Sequence, residues 1–70
     1  MKISARNTLK GQVTSLKLGD VEAEVTVSVE GGAQITATIT RASAERLGLA
    51  EGQEVHAVIK ASDVMIAVDD

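Results

Sequence analysis

The sequence contains no cysteine, no proline and no aromatic residue, and it has one histidine. Each absence closes a route. Without cysteine no disulfide can brace the fold, and one histidine without a thiol cannot assemble the usual zinc-ligand sets within a single chain. Without Phe, Trp or Tyr there is nothing for nucleic-acid bases to stack on. The charge points the same way: 7 basic and 10 acidic residues give a formal charge of −3, whereas a surface that binds nucleic acid needs clustered Lys and Arg. No apolar run approaches the roughly 18–20 residues of a membrane helix. Met1-Lys2 is followed by polar Ser4, Arg6, Asn7 and Thr8, not by the apolar stretch of a signal peptide. The expectation is a cytoplasmic protein with no nucleic-acid and no membrane partner.

What is present is a chain of 70 residues, 44% of them apolar. Residues 1–70 are expected to form one thin domain, because a chain this short buries only about 60% of the surface its unfolded form exposes. Small folds usually add a disulfide, a structural metal or a partner subunit. The first two are excluded here, which leaves association. Packing falls to Val, Ile, Leu and Ala, and the first two favour strands.

The patterning agrees. Val21, Ala23, Val25, Val27 and Val29 alternate with Glu22, Glu24, Thr26, Ser28 and Glu30, the period of a strand with one buried face. Residues 9–16 read as a looser strand ahead of it, joined through the turn-forming Lys17-Leu18-Gly19-Asp20. Gly31-Gly32 signals a hairpin into a third strand carrying Ile35, Ala37 and Ile39. Residues 42–47 are rich in helix formers, with Thr40 or Ser43 to cap the start and Gly48 to end it. Residues 54–60 and 64–68 then read as a closing pair of strands around Ala61-Ser62-Asp63. This order predicts a mainly β, five-stranded Greek-key barrel of the OB type, with one short helix between strands three and four. Val58 lies opposite Val55, Ala57 and Ile59, and Met65 and Ala67 lie opposite Val64, Ile66 and Val68. Strands apolar on both faces need cover on both sides, so the outer face is expected to meet a neighbouring subunit.

Enzymatic chemistry finds little support. His56 sits within a strand pattern, with no Ser-His-acid spacing around it, and Asp69-Asp70 reads as a solvated tail. No phosphate-loop or dinucleotide fingerprint is present. Two segments do place small polar residues beside a cation: Ser4-Ala5-Arg6-Asn7 near the start and Lys60-Ala61-Ser62-Asp63 near the end. Thr40 with Ser43 forms a weaker third cluster. Hydroxyls, two fixed cations and backbone N–H groups at bends suit a small oxyanion. Ser4 and Asn7 are equally turn formers, Ser43 a helix cap and Lys60 a charge ending its strand, so spacing alone leaves both readings open.

The opening Ile3-Ser4-Ala5-Arg6-Asn7-x-Leu9-x-Gly11-x-Val13 closely resembles the start of the molbindins, the Mop proteins built on a TOBE-type, OB-like domain. The ending Ala57-Val58-Ile59-Lys60-Ala61-Ser62-Asp63-Val64-Met65-Ile66 is similar to theirs, as are the Gly31-Gly32 hairpin and Leu47-Gly48-Leu49-x-x-Gly52. The resemblance implies a hexamer built as a trimer of dimers. It also implies molybdate or tungstate bound between subunits, for intracellular molybdenum storage or homeostasis. By motif position the oxyanion would meet Ser4, Ala5 and Arg6 with Lys60, Ala61 and Ser62, while Thr40 and Ser43 would come from the neighbour. Many relatives carry serine where this chain has Ala61, so Ser62 or a backbone N–H takes that place here. With Met1 directly ahead of the motif, a free-standing store is expected. The alternatives are the sensing part of a larger regulator or transport ATPase, and an OB-type interaction module without ligand.

Overall fold

The computed structural model describes residues 1–70 and is mainly β. Four strands, β1 (Asn7–Leu18), β2 (Glu22–Val29), β3 (Gln34–Thr40) and β4 (Glu54–Ile59), are joined by one helix, α1 (Arg41–Leu47), between β3 and β4. All pairings are antiparallel and the order across the sheet is β3-β2-β1-β4.

β2 forms as its alternation predicts. Ala23, Val25, Val27 and Val29 are buried, while Glu22 and Glu24 face solvent. The looser pattern of β1 has a local cause. Val13 pairs with Val27 and Ser15 with the adjacent Thr26, so Thr14 is an extra residue in the ladder. That bulge puts Leu16 on the same face as Val13, so both reach the core, while Leu9 and Leu18 toward the strand's ends stay exposed. Gly11 is required where β1 crosses the end of β2, because a Cβ there would lie 2.3 Å from the Ser28 carbonyl oxygen and 2.9 Å from Val27 Cγ1.

Gly31 and Gly32, at φ 90° and 88°, supply the left-handed turn between β2 and β3. Of the two candidate caps of α1, Thr40 is the one used: its Oγ1 accepts the Ser43 N–H at 3.0 Å and donates to Ser43 Oγ at 2.8 Å. Gly48, at φ 64°, ends the helix. Arg41 ties α1 to the β1–β2 turn, its N–H donating to the Val21 carbonyl at 2.8 Å and its guanidinium to the Gly19 carbonyl at 3.2 Å.

The core is thin. Val13, Val25, Val27 and Val29 form its centre, with Leu16, Ile35, Ile39, Leu49 and Val55 packed around them. Fully burying one such valine contributes roughly 1.5–3 kcal/mol. Only 6 of 70 residues are buried, and large apolar side chains including Leu47, Met65 and Ile66 stay exposed.

The expected fifth strand is absent. The chain leaves β4 through a single 3₁₀ turn, Ala61–Asp63, and residues 64–70 join no sheet. The closing pair predicted around Ala61-Ser62-Asp63 is therefore not a hairpin. A strand needs a neighbour for its N–H and C=O groups, and this tail finds none within its own chain. β3 and β4, at the two edges, do not pair with each other. The sheet curls into a barrel left open between them, enclosing an apolar groove of about 610 Å³ lined by Val25, Ile35, Ile39, Leu49, Val55 and Ile59. No helix is long and apolar enough to cross a membrane.

Candidate functional site

β1 and β4 pair from Asn7 opposite Ile59 to Gln12 opposite Glu54. This register sets the residues just before β1 beside those just after β4. Asn7 secures the junction, its side-chain amide donating to the Ile59 carbonyl at 3.3 Å. The two polar segments from opposite ends of the sequence thus face one open cavity of about 630 Å³, lined by Ser4, Ala5, Arg6, Lys60, Ala61, Ser62 and Asp63, with Ile3 and Val58 at its apolar side.

The cations in this cavity are not engaged within the chain. The ion pairs lie elsewhere, between Lys10 and Glu54 at 3.2 Å and between Arg41 and Glu45 at 2.8 Å. Arg6 and Lys60 pair with no carboxylate. The 3₁₀ turn is closed by the N–H groups of Asp63, donating to the Lys60 carbonyl at 2.9 Å, and of Val64, donating to the Ala61 carbonyl at 3.4 Å. The N–H groups of Ala61 and Ser62 are left outside those two bonds. Two flexible cations, two hydroxyls and two backbone donors therefore converge on one cleft, a donor set that matches a tetrahedral oxyanion.

Thr40 and Ser43 do not join this cleft. They lie at the start of α1, where their hydroxyls bond to each other. Six of the eight predicted site residues thus share one cavity within the chain, and two are apart from it. His56 faces solvent on β4, opposite Lys10 of β1. No group of three or more His, Cys, Asp or Glu side chains is arranged to hold a metal ion. Sequence reasoning gave Asp63 no role at the site, although its place in the quoted Lys60-Ala61-Ser62-Asp63 segment was the available signal.

Comparison with known proteins bears on this geometry. The TOBE domain profile matches residues 3–66. Molybdenum-pterin-binding protein 1 of Clostridium pasteurianum is 54% identical over 66 residues, which span 94% of this chain and 97% of that protein. The molybdate-binding protein from Sporomusa ovata superposes with a TM-score of 0.91 at 34% identity, covering 97% of this chain and 100% of that one. The cytoplasmic molybdate-binding protein ModG, solved with molybdate bound, gives a TM-score of 0.88 at 45% identity, covering 93% of this chain and 46% of ModG.

Proposed function

Because this chain belongs to the TOBE domain family, among the molybdenum-pterin-binding Mop proteins, we propose that it binds molybdate or tungstate at sites completed between subunits and serves as a small cytoplasmic molybdenum store. The observation that carries this reading is the convergence of Ser4, Ala5, Arg6, Lys60, Ala61 and Ser62 on one donor-rich cleft. Lys60 supplies a compact cation, and the N–H of Ala61 takes the place of the hydroxyl carried there by many relatives. Each hydrogen bond to the ionised ligand contributes roughly 1.5–3 kcal/mol, so four or five, less the cost of association, reach micromolar affinity. Attraction over long range is not the source, since the chain carries a formal charge of −3 and salt screens beyond roughly 8 Å.

The cleft is open and far larger than one tetrahedral anion, which favours a second subunit as its other wall. Thr40 and Ser43 of a neighbour are the residues proposed to complete it. The same assembly answers the open barrel. The apolar residues 64–68 of one copy fit the gap between β3 and β4 of another as the fifth strand, and repetition of such contacts gives a hexamer of three dimers. Residues 1–70 act as one unit in that assembly. The same kind of unit also lies within the longer ModG chain, so a sensing or carrier role inside a larger protein is the second reading.

Calorimetric titration of Lys60→Ala with molybdate tests the site. We expect affinity to fall at least tenfold, about 1.4 kcal/mol or more, with the assembly intact by native mass spectrometry. Unchanged affinity would remove Lys60 from the site. Sulfate should compete poorly, since donors spaced for the larger anion hold it through longer bonds. Equal affinity for sulfate would end the molybdate reading.

A further inference from the structure

Asp63 is the one acidic residue lining the cleft, and its presence there is unexpected for an anion site. Its backbone N–H is spent on the Lys60 carbonyl, so it has no main-chain donor to offer a ligand. Its side chain is exposed and forms no ion pair with Arg6 or Lys60, because the chain's ion pairs lie at Lys10–Glu54 and Arg41–Glu45. An ionised carboxylate only accepts hydrogen bonds. It repels a bare dianion and is satisfied by an oxyanion that brings its own hydroxyl.

The geometry points to Asp63 as a specificity residue that ranks oxyanions by whether they carry a hydrogen, a role that rests on the oxyanion reading of the cleft. Arg6 and Lys60, from the two sides of the β1–β4 junction, are the other charged residues lining the cleft. Size and protonation are then read by different groups. The spacing of the donors selects the larger tetrahedral anions, and Asp63 divides anions of similar size. Hydrogenphosphate has an O–H to donate and sulfate has none, so Asp63 favours the first over the second. Molybdate also arrives bare at neutral pH. It bears the same repulsion, which holds its affinity below what the donors alone would give and keeps the ligand releasable.

The test is calorimetric titration of the wild-type assembly and of Asp63→Asn with molybdate, sulfate and phosphate at pH 7. Asp63→Asn should tighten molybdate and sulfate together by roughly two- to fivefold, the scale of a screened like-charge contact at an exposed site. The preference for phosphate over sulfate should fall by a similar factor. A ratio of phosphate to sulfate affinity unchanged by the substitution overturns the role of Asp63, whatever the absolute affinities do. Asp63→Ser, which also removes the charge, provides the same ratio should the asparagine variant misfold. Wild-type protein that fails to bind molybdate refutes the proposed function instead, and the phosphate-to-sulfate ratio still decides the role of Asp63. Failure of all three anions to bind overturns both.

Discussion

In β2, Ala23, Val25, Val27 and Val29 are between 1% and 9% exposed, whereas Met65, Ile66 and Val68 in the tail stand 86–93% exposed. Both segments read as strands, β2 by alternation of apolar and polar residues and residues 64–68 as a short run apolar on both faces. β2 lies between β1 and β3, with ladder partners on both sides. The tail has none. Alternation declares which face a strand would bury, but the strand exists only where a neighbouring edge receives its backbone hydrogen bonds. A segment with apolar side chains and without an edge keeps them in solvent, and on the proposed assembly that is where another copy would bind.

The largest effect that could break this comparison comes from placing one charge in each region. Val27→Asp buries a carboxylate with no partner in the core and should cost about 4 kcal/mol or more, leaving no sheet signal by circular dichroism at any temperature. Ile66→Asp puts the same charge where the single chain makes no contact. It should keep the sheet signal in the cold, lose the assembly by native mass spectrometry and melt earlier, since the stabilisation by association is gone. An Ile66→Asp protein with the wild-type subunit number would show that the tail does not bridge copies.

Gly11 sharpens the comparison from the side of β2's neighbour. The burial of β2 depends on β1 approaching closely at this point, where an added Cβ meets backbone that cannot rotate away. Gly11→Ala should destabilise by about 2–3 kcal/mol in denaturant titration, through displacement of β1 from Val27 and Ser28. A cost below about 0.5 kcal/mol would mean that β1 shifts freely there.

The same contrast shows what a reader of the sequence could and could not reach. β2, the Gly31-Gly32 turn and the bounds of α1 follow from local chemistry: alternation, glycine in the left-handed region, and a hydroxyl cap. β1 was harder, because the bulge at Thr14 shifts its apolar residues by one place and blurs the period. The fifth strand cannot be judged from pattern, since apolar spacing does not say whether an edge is there to pair with it, and residues 64–70 join no sheet. The cleft was visible as two polar segments and a resemblance, while their meeting depends on the β1–β4 register. The 3₁₀ turn, which leaves the Ala61 and Ser62 N–H groups uncommitted and brings Asp63 to the wall, follows from the path of the chain after β4 and has no period to announce it.

α1 stands between the two extremes and gives the smallest effect. Its seven residues are too few to persist alone, and Ala44 is its single buried side chain. It is held by local bonds at both ends, so its stability should answer to the cap more than to packing. Thr40→Ala removes the acceptor of the Ser43 N–H and should cost about 1 kcal/mol, lowering the melting midpoint by roughly 4–8 °C for a domain of this size. Thr40→Ser keeps the hydroxyl and should restore most of it. The pair also separates the two uses of this residue. The Thr40 hydroxyl proton is already given to Ser43 Oγ, so a neighbour's ligand can recruit it only by breaking that bond. If Thr40 serves only as a cap, molybdate affinity stays constant across Thr, Ser and Ala while stability changes. If it also reaches across an interface, affinity falls with Ala and returns with Ser, which would make the helix start part of a site completed by another copy.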